Sequence, residues 1–232
     1  MGAELDHVET LAQMRPSIPN ANLETGQLLR GGINIHAEDA MVHVCRYETK
    51  MVHWLSEIRA LADPTLRAPD SIMAGSDSSF DAFWRTLVYN RGPKYNYESP
   101  NQKPDISLGI SFGYWYLLKK LNIKGLWQPN SFFQNVSNYR LLSTLSRPFD
   151  MAEGRVANAR RFFVSGTGRF GWVPLRTEAS DRVCVLQGMR IPVILRPRGD
   201  QWEFIGACYV HGLMDGEIWD LDNLKWKFMS FV

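Results

Sequence analysis

Arg161-Phe162-Phe163-Val164-Ser165-Gly166-Thr167-Gly168-Arg169-Phe170-Gly171-Trp172-Val173 is the stretch on which the fold turns. Two runs of aromatic and β-branched residues flank a glycine-rich tripeptide, the composition of two strands joined by a tight turn. The same letters satisfy the spacing of a dinucleotide fingerprint and of a kinase glycine-rich loop. The context excludes both. A dinucleotide site needs a helix after the last glycine to meet the pyrophosphate, whereas Trp172-Val173-Pro174 leads into another extended run. A kinase needs a catalytic aspartate and a magnesium-binding Asp-Phe-Gly downstream, and neither follows. Gly166, Gly168 and Gly171 are therefore read as glycines of a hairpin that take positive φ.

Toward the C-terminus the pattern repeats. Short apolar runs at 182–187, 191–195 and 202–210 are separated by Gly188-Met189 and by Pro197-Arg198-Gly199-Asp200, a turn despite its integrin-type spelling. Toward the N-terminus the period changes to 3.6. Ala40, Val44, Tyr47, Met51, Leu55, Ile58 and Leu61 mark one helix, expected to stop at Asp63-Pro64. Ser78 and Asp81 form a capping box before Phe80, Phe83, Trp84, Leu87 and Val88, and Gly92-Pro93 is expected to close that helix. A third helical pattern runs from about Asp105 to Leu121. A fourth opens at a Ser131 and Gln134 box and is expected to end at Pro148. The whole predicts an α+β fold: an irregular N-terminal arm (1–35), a helical region (36–158), and a small antiparallel β-barrel or curled sheet with a C-terminal tail (159–232).

Composition narrows the class. A chain of 232 residues with 45% hydrophobic content can bury a full core. The net charge of +2 gives no global field for nucleic acid or an anionic membrane. No apolar run approaches membrane-spanning length and no signal-peptide core is present, so a soluble, cytoplasmic protein is expected. The three cysteines, Cys45, Cys184 and Cys208, contain no CxxC pair and predict neither a zinc cluster nor a disulfide framework. Residues 151–200 carry nine arginines against four acids, and the acids of 201–232 are expected to lie back over them as a solvated ion-pair surface. Cys208, His211, Asp215 and Glu217 are the one compact group suited to metal binding or acid–base work. The competing reading is that Cys208 packs as a small hydrophobe and His211-Gly212 closes a turn.

Two blocks resemble a known family. The segment from Arg161 to Pro174, then Asp181 to Gly188, Pro192 to Pro197 with Arg196, and Tyr209-Val210-His211-Gly212-Leu213-Met214-Asp215-Gly216-Glu217, looks like the C-terminal block of fungal heterokaryon-incompatibility (HET) proteins. Phe83-Trp84-Arg85-Thr86-Leu87 resembles the helix before that block. The resemblance implies a protein of non-self recognition and programmed cell death on cell fusion, in which an N-terminal HET domain triggers death. No counterpart of that domain's opening block is seen, and Met1 stands about 80 residues before the Phe83 motif. The chain is accordingly read as a non-enzymatic regulatory or interaction module, with no cofactor and no metal, whose partner is a HET-domain protein or a related regulator. The alternatives are an enzyme or small-ligand binder using Cys208, His211, Asp215 and Glu217, and, third, a nucleic-acid binder through the arginine-rich barrel.

Overall fold

The computed structural model describes residues 1–16, 37–62, 79–92, 102–123, 132–154, 159–217 and 224–232. Along the chain these form β1 (Gly2–Met14), α1 (Ala37–Ala62), α2 (Ser79–Leu87), α3 (Ile106–Ile123), α4 (Phe132–Glu153), β2 (Arg160–Ser165), β3 (Phe170–Pro174), β4 (Arg182–Leu186), β5 (Val193–Arg198), β6 (Gln201–Ala207), β7 (Tyr209–Val210) and β8 (Trp226–Lys227). The strands pair antiparallel in the order β6-β5-β4-β1-β2-β3-β7, with β8 added to the start of β1. The ladder is a curled sheet and does not close into a barrel. Its two ends, β6 and β7, are consecutive in the chain and meet only through Cys208, so one bent segment serves both edges.

The N-terminal arm was the main departure. Residues 2–14, expected to be irregular, form the central strand: Gly2 to His7 pair with β4, and Val8 to Met14 with β2. The register slips between Glu4 and Asp6, Val8 and Thr10, and Leu11 and Met14. Each slip breaks the alternation of two that marks a strand in sequence. The bulges also bend β1, which lets a single strand pass from one half of the sheet to the other.

Strand alternation sorts side chains into two cores. Phe162, Val164, Phe170 and Trp172 face the helices and pack with Trp54, Leu55 and Ile58 of α1, Phe83 and Trp84 of α2, Phe112 and Trp115 of α3, and Phe149 of α4. Phe163, Val173, Val183, Val185, Ile194 and Val210 fill the inside of the curl with Ala3 and Val8. Because β2 and β3 are buried on both faces, they read as unbroken apolar runs. That is why these strands were plain in the sequence.

Two helix ends differ from expectation. The α2 cap uses no glycine: Tyr89 N–H donates to Thr86 O (3.1 Å) and Asn90 N–H to Arg85 O (2.7 Å), the paired bonds of a Schellman motif. Tyr89 and Asn90 take the left-handed φ of 54° and 52° that glycine normally supplies, while Gly92 donates to Gln102 O (2.8 Å). Pro148 does not end α4, which runs on to Glu153. Ser111 of α3 bridges the interruption: its Oγ donates to Leu145 O (2.8 Å) and accepts from Phe149 N–H (3.1 Å), standing inside the bond those two groups would otherwise make. The serines of both capping boxes, Ser78 and Ser131, and the Asp63-Pro64 and Pro93 stops lie outside the described residues. Among the described residues no helix is long and apolar enough to cross a membrane.

Candidate functional site

A cleft of about 230 Å³ opens where four chain segments converge. The α2 cap brings Tyr89 and Arg91, the start of β2 brings Arg160, and the β6–β7 corner brings Ala207, Cys208 and Tyr209. Ile191 and Met214 complete the wall. The segments are tied together locally. Arg160 Nη1 donates to Ala207 O, Cys208 N–H donates to Pro192 O (3.0 Å), and the Tyr89 and Tyr209 rings stack at 4.9 Å with 9° between their planes.

Backbone strain concentrates here. Among the described residues four non-glycine positions have positive φ, and three of them adjoin this wall: Tyr89 at 54°, Asn90 at 52°, and Ala159 at 55°, directly before Arg160. Gly206, at 147°, precedes Ala207. A left-handed residue with a Cβ costs about 1–2 kcal/mol, and such outliers gather at functional sites because surrounding structure must hold them.

Burial shifts the two tyrosines and the thiol of the cleft. Desolvation pushes the Tyr89 phenol up to about 12, opposed by Arg160. Tyr209 is pushed up by burial and then by Asp215. Burial also pushes the Cys208 thiol up, so it stays protonated at neutral pH. Cys184, away from the cleft, is raised to about 12 for the same reason. Neither thiol has the environment of a nucleophile.

Cys208, His211, Asp215 and Glu217 are near in sequence but engaged separately. Cys208 packs in the inner core. His211 Nδ1 lies 3.1 Å from Tyr209 OH, and its N–H donates to Phe170 O (2.8 Å). Asp215 pairs with Lys103 (2.8 Å), and Glu217 Oε2 accepts from Asp215 N–H (2.6 Å). Gly212 and Gly216, at φ 77° and 104°, form the turns between them. Among the described residues no group of three or more His, Cys, Asp or Glu could hold a metal.

The remaining motif residues sit in supporting roles. Phe83 makes edge contacts with Phe112, Phe162 and Phe170, joining helices to sheet. Trp84 donates to Asp81 Oδ1 (3.0 Å), and Arg85 lies over its ring and donates to Pro104 O (2.9 Å). Of the three hairpin glycines expected at positive φ, Gly168 alone is there, at 84°, and turns β2 into β3; Gly166 and Gly171 have ordinary φ and are held to glycine by close neighbours instead. A Cβ on Gly171 would strike Tyr209 O and Phe163. Pro174 ends β3 opposite Arg160, close to Gly206. Buried Asp181 accepts two bonds from Arg196 (2.8 and 3.0 Å) and one from Glu178 N–H. Pro197 is exposed on β5.

Arg176, Arg182, Arg196 and Arg198 of the arginine-rich segment are paired with acids. Glu203 of β6 meets Arg176 (2.9 Å) and Arg198 (2.7 Å), while Arg196 meets Glu178 (2.8 Å) and Asp181. The partners therefore come mostly from within the same segment and from β6. In the tail, Lys227 turns to Glu4 (3.9 Å) instead; Asp220 and Asp222 lie outside the described residues. Sequence reasoning missed Tyr89, Arg91 and Arg160 as a group, because nothing in their spacing signals that α2's cap meets the start of β2.

Residues 141–229 match the Het-6 beta-barrel domain. The match takes in the end of α4 and all the strands from β2 to β8. No curated protein and no solved structure matches the chain.

Proposed function

We propose that the chain is a non-enzymatic regulatory or interaction module, of the kind that forms the C-terminal part of fungal HET proteins, acting in the cytoplasm on a HET-domain protein or a related regulator in non-self recognition and cell death. The observation that carries the reading is the Het-6 beta-barrel match over 141–229, which coincides with the resemblance of the Arg161-to-Glu217 blocks to that family. The state of the catalytic-type groups supports it: a buried, protonated Cys208, and acids committed to turn and ion-pair bonds. The contact surface in this reading is the 211–217 turn, where Asp215 is exposed beside half-buried His211 and Glu217.

The test is co-expression of the full chain with a HET-domain protein in a fungal host. Wild type should bind that protein directly and change colony survival. Charge reversal at Asp215→Lys with Glu217→Lys should abolish both while leaving the thermal midpoint within about 4 °C, the scale of a surface change. Binding and survival identical to an empty vector would overturn the proposal.

A further inference from the structure

We propose that the cleft between the α2 cap and the β6–β7 corner is a receptor site for a carboxylate carried on a compact apolar body. Three independent observations converge on it. Its volume of about 230 Å³ lies below the range of about 300–1,000 Å³ for drug-sized ligands, which suits a single ring or one terminal residue. Its wall is largely apolar, formed by Ile191, Met214 and the two tyrosines, and two guanidiniums reach it. The strained positions Tyr89, Asn90 and Ala159 lie on or beside the residues that supply those groups, so the backbone is held out of its easy conformations where a ligand would be gripped.

Charge selects the ligand. Arg91 and Arg160 line the cleft, and at its rim Lys103 pairs with Asp215 (2.8 Å). Among the described residues Arg160 donates through Nη1 to Ala207 O alone, and a guanidinium fork matches a carboxylate in two parallel bonds. The free acid of a small molecule and the C-terminal carboxylate of a peptide present the same chemistry. Met214 belongs to both the cleft wall and the 211–217 turn, so a ligand here sits beside the protein contact.

The experiment is a calorimetric and NMR titration of the full chain with phenylacetate, with the neutral counterpart 2-phenylethanol, and with a tetrapeptide ending in phenylalanine as acid or amide. At least one acid should saturate with a Kd of about 1 mM or tighter, as expected for so few heavy atoms, and its neutral counterpart should bind at least about tenfold more weakly. Phenylacetate binding identifies a free small acid as ligand; binding of the peptide acid alone identifies a partner's C-terminus. Arg160→Gln should weaken the acid at least about tenfold. Because that change also removes the bond to Ala207 O, Ile191→Trp provides the second variant: exposed Ile191 can be enlarged into the cleft, blocking ligand while the folded state persists. Saturation by neither acid, equal affinity for acid and neutral forms, or binding unaffected by a folded Ile191→Trp chain would each overturn the proposal.

Discussion

The helix–sheet seam and the cleft lie side by side and share Tyr209 and Trp172 contacts, yet they are built on opposite principles. In the seam, rings meet rings: Trp54 stacks on Trp172 at 6.0 Å, while Phe149 meets Phe112 at 5.0 Å and Trp115 at 5.1 Å in tilted contacts. Most indole N–H groups there are used: Trp84 on Asp81, Trp115 on Asp150 (2.9 Å) and Trp172 on Thr86 O (2.7 Å), with Trp54 the exception. None of these residues has a left-handed backbone. In the cleft, by contrast, three non-glycine residues are held at positive φ around two guanidiniums. Left-handed residues with a Cβ persist only where surrounding structure holds them, and the contrast can be tested by how each region responds to substitution.

The largest loss is expected from the seam. Trp172→Ala removes a fully buried ring and its bond to Thr86 O, and should lower unfolding free energy by about 3–5 kcal/mol in a denaturant titration. A loss under about 1 kcal/mol would mean that the seam does not hold helices to sheet. Next is the buried pair of Arg15 and Glu153, which fastens the end of β1 to the end of α4. Arg15→Ala leaves the buried Glu153 carboxyl without its guanidinium and should cost about 3 kcal/mol in the same titration.

That pair also has a pH signature. Burial holds the Glu153 carboxyl above its ordinary 4.5, Arg15 notwithstanding. The folded state therefore holds this proton more tightly than the unfolded state, so Glu153 makes stability fall as pH rises from about 4.5 through its folded value. Glu153→Gln should remove that slope from the profile of stability against pH. An unchanged slope would assign it to other groups.

Ser111→Ala should cost about 1–3 kcal/mol, because Leu145 O and Phe149 N–H lose the hydroxyl that joins them across the Pro148 interruption. Equal stability would show that the helix closes the gap by itself. The smallest effect should have the opposite sign. Ala159→Gly places glycine at φ 55°, and the chain should gain about 0.5–1 kcal/mol, the relief of a left-handed Cβ reduced by glycine's extra entropy when unfolded. A loss there would remove Ala159 from the strained set and weaken the contrast between cleft and seam.

How much was visible beforehand depended on whether a residue's neighbours in space are its neighbours in sequence. Phe162 to Val164, Phe170 to Val173 and Val183 to Val185 announced themselves because strands buried on both faces need long apolar runs whatever lies around them. The helix faces were legible for the same local reason, through Met51, Leu55 and Ile58 and through Phe83, Trp84 and Leu87. Turn glycines at 168 and 212 followed from the spacing of the runs they join.

By itself, then, the amino-acid order determined the two periodicities, the α+β partition and the likeness to the Het-6 block, all properties of short windows. Tertiary structure decided three other things. It made 2–14 a central strand, because pairing on both sides outweighs the broken alternation its bulges impose. It carried α4 through Pro148, because Ser111, 37 positions away, satisfies the groups the proline separates. It assembled the cleft from Tyr89, Arg160 and Tyr209, which no periodicity relates, because only closure of the α2 cap against the β6–β7 corner brings those side chains within reach of one another.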